Sequence, residues 1–401
     1  MNSVVFRLDD VSEVASGNPA PQDTKDFADN GFPFIRMQDV GREHHTSNLR
    51  DSVDKVNSDA VSRYRLRLFP AGSVLIPKSG ASVNLNHRAM LGNDAYVVSH
   101  LAIVIPNREK LLPEYLYFWS LAYDPRSQAQ TTSLPSLPLS LIKAAQIPVP
   151  SLDEQRSIVD ILSRAEGIVR LRREAQKKTA EIIPAMFLDI FGDPATNPKG
   201  WPIKELGALL TDGPQNGIYK HASLYGKGTP ILRIDAFYDG RVVSLSSLKR
   251  VQITQDEQKK FRLLERDIVI NRVNSPEYLG KSTIVPPLNE ETVFESNMMR
   301  FSVNGGALLP EYLIEFLQTA HTKAHFLAKA KHAINQSSIN QQDVKSLPVM
   351  IPPIECQTWF VERVNQIRAI HLLQTTATAK AEATFEALLA QVFESSSHMH
   401  L

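Results

Sequence analysis

Cysteine, long apolar runs and an excess of charge of either sign are all missing from this sequence. Cys356 is the single cysteine in 401 residues, which excludes an internal disulfide and a cysteine-rich zinc module. The chain has no apolar run of the roughly 18 residues that a membrane-spanning helix needs, so we expect no membrane partner. With no signal-peptide pattern either, the single thiol predicts a cytoplasmic protein. Because 44 Lys and Arg nearly balance 43 Asp and Glu, a polyanionic partner would have to meet local basic clusters.

Motifs of catalytic and cofactor sites are absent or incomplete. The segment from Ser275 to Ser282 resembles a phosphate-binding P-loop, but serine replaces its first glycine and two prolines follow where a helix must begin. Asp235 and Glu257 imitate a nuclease carboxylate set, although residues 254–261 have a helical pattern. The sequence contains no Asn-Pro-Pro-aromatic motif, no glycine-rich S-adenosylmethionine loop and no histidine spacing typical of a metal site. We therefore expect no catalytic residue, no metal and no cofactor in this chain.

Two halves of the chain repeat each other. Residues 111–116 read Leu-Leu-Pro-Glu-Tyr-Leu, and residues 308–313 read the same six letters. At the same offset, Pro33 to Arg36 matches Pro230 to Arg233, and at a slightly larger offset Pro150 to Gln155 matches Pro352 to Gln357. Because the matches keep their order along the chain, they indicate a tandem duplication.

Each copy is predicted to contain a mixed domain followed by one long helix, which makes the fold class α+β. The expected segments are a first domain at 1–150, a helix at 151–191, a linker at 192–200, a second domain at 201–350, a second helix at 351–394 and a disordered tail at 395–401. Apolar or small residues at heptad spacing predict that the helices pair as an antiparallel coiled coil. The first predicted seam contains Ile158, Ile161, Ala165, Ile168, Ala175, Thr179, Ile182 and Met186. Pro184 is expected to kink or end this helix.

Basic and amide side chains cluster near the ends of predicted strands in both copies. Arg, Lys, Asn and Gln are the side chains that reach phosphates and base edges, so these clusters predict a DNA-binding surface. An ordinary solvated surface is the alternative interpretation. Arg63, Arg65 and Arg67 alternate with other residues and would share one face of a strand. The DNA-binding candidates are Arg36, Arg63, Arg65, Lys78, Asn86, Arg88, Tyr219, Lys220, Arg233, Arg272, Asn274, Tyr278, Lys281, Lys331 and Gln336.

These features together resemble the specificity subunit of a type I restriction–modification system. The resemblance covers residues from about Leu8 to Phe393. The signature that opens each domain is found as Leu8, Val11 and Gly17, and again as Leu206, Leu209 and Gly213. The domain–helix signature Pro-x-Leu-x-x-Gln is found at residues 150–155 and, in diverged form, at 352–357. The signature that follows the first helix is found at residues 187–193 and 197–201.

The resemblance implies a DNA-recognition adaptor that has no active site. Such an adaptor binds double-stranded DNA, two methyltransferase (modification) subunits that act on adenine, and ATP-driven restriction or translocase subunits. S-adenosylmethionine, ATP and Mg²⁺ would then bind to the partner subunits. Each recognition domain would read one half of a split, asymmetric target. A helix of about 38 residues, roughly 57 Å long, could set a spacing of roughly 17 base pairs.

Large apolar residues near the helix ends are candidates for docking a methyltransferase subunit. They are Phe187, Leu188, Phe191, Phe385 and Phe393. We expect about half of them to pack between the two helices and at least one to contact a methyltransferase subunit.

Three other functions stay open at this point. A fused methyltransferase or nuclease would need motifs that the sequence lacks. A duplicated protein-interaction scaffold would make the basic loops ordinary surface. The same adaptor could also serve a methylation-based defence system that has no restriction subunit.

Overall fold

The computed structural model describes residues 4–41, 46–80, 82–126, 135–333 and 336–393. The chain divides into two compact units: Met1–Glu174 with Thr376–Leu401 (unit 1), and Ala175–Thr375 (unit 2). Each unit therefore combines one mixed domain with parts of both long helices. The expected disordered tail at residues 395–401 lies outside the described residues.

Unit 1 contains ten strands and six short helices among its described residues, and the first long helix begins in it. The strands are β1 (Val4–Arg7), β2 (Ser12–Ser16), β3 (Phe27–Ile35), β4 (Thr46–Leu49), β5 (Lys55–Val56), β6 (Val74–Pro77), β7 (Ala89–Leu91), β8 (Tyr96–Val97), β9 (Leu101–Pro106) and β10 (Gln146–Val149). The helices are α1 (Leu8–Val11), α2 (Met37–Gly41), α3 (Ser58–Tyr64), α4 (Ser82–Leu85), α5 (Pro113–Ala122), α6 (Leu139–Ala144) and the long α7 (Leu152–Phe191).

Three sheets organise the mixed domain of unit 1. The largest has the order β2-β9-β6-β7-β4, and two smaller sheets have the orders β5-β3-β8 and β1-β10. Strand β6 is buried along its whole length, because it is apolar and lies between two other strands. Polar side chains that could reach solvent or a ligand therefore follow the end of β6.

Unit 2 contains fourteen strands and four short helices among its described residues, and the second long helix begins in it. The strands are β11 (Ile203–Glu205), β12 (Leu210–Asn216), β13 (Tyr225–Leu232), β14 (Phe237–Tyr238), β15 (Gly240–Val242), β16 (Lys249–Val251), β17 (Ile268–Asn271), β18 (Val273–Asn274), β19 (Ser282–Ile284), β20 (Val293–Phe294), β21 (Met298–Val303), β22 (Lys331–Ala333), β23 (Gln336–Ser338) and β24 (Pro348–Met350). The helices are α8 (Gln255–Phe261), α9 (Pro310–Leu317), α10 (Ala320–Lys329), α11 (Gln341–Lys345) and the long α12 (Ile354–Phe393).

The sheets of unit 2 repeat those of unit 1. The series β12-β21-β17 corresponds to β2-β9-β6, β16-β13-β20 corresponds to β5-β3-β8, and β11-β24 corresponds to β1-β10. Even the mixed pairing is retained, since β3 is parallel to β8 and β13 is parallel to β20. The structure confirms the α+β fold class and the duplicated organisation.

The opening signature is correct in unit 1 and misplaced by four residues in unit 2. A Cβ on Gly17 would lie 2.1 Å from Val98 O, and a Cβ on Gly217 would lie 2.2 Å from Glu295 O. The equivalent bridges Asn18–Val98 and Ile218–Glu295 follow directly. Gly217, and not the predicted Gly213, is therefore the second glycine of the signature. Only glycine permits this close approach of two backbones.

The glutamine of the domain–helix signature is a buried clamp in both units. Gln155 Oε1 accepts from Leu112 N at 2.9 Å, and its Nε2 donates to Lys110 O at 2.8 Å and Pro150 O at 2.9 Å. Gln357 makes the same three contacts in unit 2, including an acceptor bond from Leu309 N at 2.9 Å. Because each amide is fully buried, it joins the helix start to the preceding domain at a fixed place.

The two long helices pack antiparallel within each unit. In unit 1, Arg173 forms an ion pair with Glu382 at 2.6 Å, and Leu162 shares a core with Phe393. In unit 2, Gln176 Nε2 donates to Thr375 Oγ1 at 3.1 Å, and Phe191 shares a core with Phe360. No helix in the described part of the chain is both long and apolar enough to cross a membrane.

The predicted seam of the first helix is correct at Ile158 and Thr179, which are buried, and wrong at Ile161 and Ile168. Leu162 and Val169 are buried, whereas the predicted Ile161 and Ile168 are exposed. The helix has apolar residues on both sides, and heptad spacing alone does not decide between them. Pro184 lies inside α7, which continues without a break to Phe191.

Four of the five predicted docking residues belong to the hydrophobic core. Phe187 and Phe191 pack against Tyr312 with ring centroids 5.8 and 5.0 Å apart. Phe393 packs against Tyr115 at 5.4 Å, and Phe385 packs against Phe118 at 6.2 Å. Aromatic contacts of this kind fasten the end of each long helix to the opposite copy's domain. Of the five predicted docking residues, only Leu188 is exposed.

Candidate nucleic-acid interface

A polar loop follows the buried strand β6 in unit 1 (residues 78–88, the β6–β7 loop). Main-chain hydrogen bonds hold its start on both sides: Lys78 N donates to His100 O at 3.0 Å, and Leu137 N donates to Lys78 O at 2.8 Å. Ser79 Oγ lies 2.7 Å from His100 Nδ1. The half-buried Lys78 side chain has no ion-pair partner among the described residues, so its ammonium is available to a phosphate or a base edge.

The equivalent loop of unit 2 follows β17 and is held in the same way (residues 272–281, the β17–β19 loop). Arg272 N donates to Asn297 O at 2.8 Å, and Ile339 N donates to Arg272 O at 2.9 Å. The Arg272 guanidinium donates one bond, from Nη1 to Ser296 O at 3.1 Å. This contact fixes Nη1, and the buried Nε has no hydrogen-bond partner, so the guanidinium has donors that the protein does not use.

Three predicted residues meet in one small sheet beside Arg272. The strand order is β18-β23-β22, and it brings Asn274, Gln336 and Lys331 onto neighbouring strands. The register places Lys331 and Gln336 on one face, and both side chains are exposed. Asn274 lies on the other face, where its Oδ1 accepts from Ser275 N at 2.8 Å. Lys331 and Gln336 are therefore suited to contact a ligand, whereas Asn274 shapes the loop.

Lys281 is already engaged within the protein. Its Nζ donates to Ile234 O at 2.6 Å and lies 4.0 Å from the centre of the Tyr238 ring. Burial lowers the pKa of this ammonium. The neighbouring candidate Tyr278 is exposed and lies at the tip of the same loop. The prediction that the Lys281 ammonium faces DNA is therefore not supported, whereas Tyr278 is accessible.

The repeated arginines Arg36 and Arg233 support the framework. Arg36 forms an ion pair with Asp54 and lies over the Phe27 and Phe34 rings, 5.4 and 5.6 Å from their centres. Arg233 forms an ion pair with Glu295 at 3.1 Å. Because each guanidinium is partly buried against its partner, the repeated arginine is a structural feature.

The predicted strand that contained Arg63 and Arg65 is wrong. Asn57 caps helix α3, which ends at Tyr64, and Arg65 adopts a left-handed conformation with φ of 51°. Arg63 forms an ion pair with the buried Asp26 at 2.6 Å, and the two arginines do not share a strand face. Both arginines are exposed, and Arg63 also has a structural role through its ion pair with Asp26.

The prediction that Arg88 contacts DNA is not supported, because only 1% of this residue is exposed. Its guanidinium donates to Ser120 O at 3.0 Å, Tyr123 O at 3.0 Å and Asn86 Oδ1 at 2.7 Å. Burial lowers its pKa to about 10, so it stays charged at neutral pH. Arg88 and Asn86 thus hold the β6–β7 loop on the domain and do not present charge to a ligand.

Tyr219 and Lys220 lie after β12 and have different surroundings. Lys220 forms an ion pair with Glu257 at 2.6 Å, and this lysine lowers the pKa of the Glu257 carboxyl. Glu257 also completes the capping box of α8 with Thr254. Lys220 is therefore tied to a helix end, whereas Tyr219 is 76% exposed and available for stacking.

Sequence reasoning missed Glu295, which organises the polar face of unit 2. Its carboxylate binds Arg233 and also accepts from Ile234 N at 2.8 Å. The equivalent position in unit 1 is Val98, which is buried. A charged residue in one copy opposite valine in the other was the available signal.

A second missed feature is an exposed apolar pair on each long helix. Ile168 and Leu171 lie on α7, and Ile370 and Leu373 lie at the same distance from the clamping glutamine on α12. All four are more than half exposed. Residues three apart share one helix face, so each pair forms a small apolar surface. The repeat of Ile-x-x-Leu in the two helices was visible in the sequence.

In the described ranges, no group of three or more His, Cys, Asp or Glu side chains is placed to hold a metal ion. Cys356 is a free, half-buried thiol near the start of α12. The expectation that cofactors bind elsewhere than on this chain stays a prediction.

The sequence matches the family model for the type I restriction modification DNA specificity domain at residues 2–181 and 198–383. The MjaX specificity subunit of a type I restriction enzyme from Methanocaldococcus jannaschii is 33% identical over 161 residues, which cover 40% of this chain and 37% of that one. The MjaIX specificity subunit of the same organism is 24% identical over 74% of this chain and 72% of its own length. The EcoKI specificity subunit of Escherichia coli is 24% identical over 62% and 56% of the two chains. The matches thus span between about a third and three quarters of these relatives.

Solved structures show a similar fold. A chain from a structure describing complex assembly and conformational transition of the type I R-M system has a TM-score of 0.58, with 18% identity over 97% of each chain. The S subunit of the type I restriction–modification system from M. genitalium has a TM-score of 0.52, with 11% identity over 98% of this chain and 96% of that one.

Proposed function

Because the chain belongs to the type I restriction–modification DNA specificity family, we propose that it is the sequence-reading subunit of such a system and reads a bipartite, asymmetric DNA target. The family assignment makes it a recognition component without its own catalysis. The proposal rests on the presence of the same polar loop, with the same anchoring, in both units. The β6–β7 loop and the β17–β19 loop start from equivalent buried strands and are anchored by equivalent main-chain bonds.

Different side chains on the same framework support an asymmetric target. Lys78 in unit 1 is replaced by Arg272 in unit 2, and His100 is replaced by Asn297. A guanidinium can bind guanine through two parallel bonds, whereas an ammonium is a point charge. Two surfaces with different donors suit two different half-sites.

The exposed apolar pairs on the long helices support two methyltransferase subunits as partners. Ile168 with Leu171, and Ile370 with Leu373, would each dock one copy, because the repeated chain presents the same small surface twice. ATP-driven restriction subunits would join the assembly that results. S-adenosylmethionine, ATP and Mg²⁺ would bind to these partners.

Substituting one pair at a time tests the docking proposal. Ile168→Glu and Ile370→Glu should each reduce the number of methyltransferase copies from two to one in native mass spectrometry. Ile161→Glu, which alters an exposed isoleucine that has no counterpart in the second helix, is the control. If Ile168→Glu and Ile370→Glu both still bind two methyltransferase copies, the proposal that these surfaces dock the methyltransferase is wrong.

Mapping methylated adenines in cells that express the chain with its methyltransferase tests the reading function. We expect a single asymmetric motif made of two short half-sites with a constant gap. Methylation without a shared motif, or a motif that does not change when this chain is replaced by a relative, would contradict the proposal.

A further inference from the structure

Three aromatic rings surround the Lys281 ammonium at the base of the β17–β19 loop. Its Nζ lies 4.0 Å from the centre of the Tyr238 ring, 4.8 Å from Phe237 and 5.4 Å from Tyr278. The bond to Ile234 O, at 2.6 Å, adds a carbonyl acceptor. The rings and the carbonyl together hold this half-buried ammonium in one place.

The residues around Lys281 belong to two separate segments of the chain. Tyr278 lies in the β17–β19 loop, whereas Ile234 and Tyr238 lie in the segment that follows β13. That segment is fixed in turn by Glu295, which accepts from Ile234 N. Lys281 is thus a bridge between the candidate reading loop and a segment anchored to the framework.

Unit 1 joins the equivalent segments with a different pair. The pairings Leu75–Ala89 and Val269–Thr283 place His87 at the position of Lys281. Gly41 ends helix α2, in the segment that follows β3. A Cβ on Gly41 would lie only 2.1 Å from His87 Nδ1, so the imidazole packs directly against this glycine. In both units the residue at this position packs against the segment that follows β3 or β13, but an imidazole meets a glycine in unit 1, whereas an ammonium meets aromatic rings and a carbonyl in unit 2.

We infer, on the basis of the proposed function, that Lys281 is a positioning residue for base recognition in one half-site. It holds the β17–β19 loop against residues 234–238, so that Arg272 and Tyr278 meet the DNA in one arrangement. Its ammonium stays among the three aromatic rings and makes no phosphate contact.

Salt-dependent binding of the full chain separates positioning from phosphate contact. The probes are a duplex with the mapped methylation motif and two duplexes with one base pair changed, each in a different half-site. Lys281→Met should reduce discrimination about tenfold in one half-site only, with an unchanged slope of log affinity against log salt. Lys281→Arg, which keeps a cation for the rings, should restore most of the discrimination. Tyr238→Leu, at a half-exposed position, should give the same loss as Lys281→Met.

The alternatives give different results. A salt slope reduced by about one, with discrimination retained, would show a direct phosphate contact and overturn the inference. Equal losses in both half-sites would indicate a general loss of folding and also contradict it, as would no change in any variant. If the wild-type chain fails to discriminate at either half-site, the proposed function itself fails.

Discussion

Units 1 and 2 share a framework and differ in what they attach to it. The glutamine clamps Gln155 and Gln357 make the same three hydrogen bonds, and the sheets have corresponding strand orders. In contrast, Arg36 binds Asp54 in unit 1, whereas Arg233 binds Glu295 in unit 2. Backbone positions were therefore retained after duplication, while the partners of polar side chains diverged. That combination suits a protein that reads two unlike half-sites.

Substitutions at the aromatic ends of the two long helices should lower the free energy of unfolding most, because these rings pack in the core of both units. Phe191→Ala in unit 2 and Phe393→Ala in unit 1 should each reduce the free energy of unfolding by about 3–5 kcal/mol, because a cavity replaces a buried ring. Leu188→Ala, on the exposed side of the same helix, should change it by less than about 0.5 kcal/mol. Chemical denaturation measures all three. A similar loss in Leu188→Ala would show that Leu188 belongs to the core and would contradict its exposed position.

The glutamine clamps should give a smaller loss that is confined to one unit at a time. Gln155→Leu leaves the buried groups Leu112 N, Lys110 O and Pro150 O without their partner and should cost about 2–4 kcal/mol. Gln357→Leu should do the same in unit 2. Hydrogen exchange should rise around residues 107–112 in the first variant and around 304–309 in the second. Exposed Gln146→Leu is the control, and exchange that rises in both units would contradict independent clamps.

The smallest expected effect depends on pH and separates the units at one equivalent helix position. Glu166 in unit 1 accepts from Tyr117 Oη at 2.7 Å and Ser47 Oγ at 3.2 Å, whereas Arg368 occupies this position in unit 2. Burial raises the pKa of Glu166 above its ordinary 4.5, and these two hydrogen bonds only partly oppose the shift. The folded chain therefore holds this proton more tightly than the unfolded chain does.

The protonated Glu166 carboxyl makes its full contribution to the free energy of unfolding below pH 4.5. This contribution is lost as pH rises through the pKa of Glu166 in the folded chain. Glu166→Gln should remove this part of the pH dependence of the free energy of unfolding. Glu174→Gln, at an exposed position of the same helix, should leave it intact. An unchanged pH profile in Glu166→Gln would show that the carboxyl is not desolvated.

Local patterns predicted the repeated architecture well. Ser151 and Glu154 have the spacing of a capping box, and Glu154 N donates to Ser151 Oγ at 3.3 Å. Pro113 and Pro310 have the same place in the repeated hexapeptide, and they begin equivalent helices. Such features depend on neighbours in sequence and can be recognised without a structure.

Contacts between distant segments account for most of the errors. Arg88 is buried because the carbonyls of Ser120 and Tyr123 meet its guanidinium, and nothing in the neighbouring sequence indicates this. Phe187 and Phe191 looked like docking residues because Phe360 and Tyr312, which cover them, lie far away in sequence. The misread Arg63 segment is different, since Asn57 was a visible helix cap.

We propose that each unit reads its own half-site through the loop after its central strand. The most direct test compares Lys78→Ala with Arg272→Ala on duplexes that have one base pair changed in either half-site. We predict that each variant loses discrimination in a different half-site, by about 1–3 kcal/mol for Arg272→Ala if the guanidinium grips a guanine. Losses in the same half-site, or equal affinity of both variants and the wild-type chain for every duplex, would contradict the account.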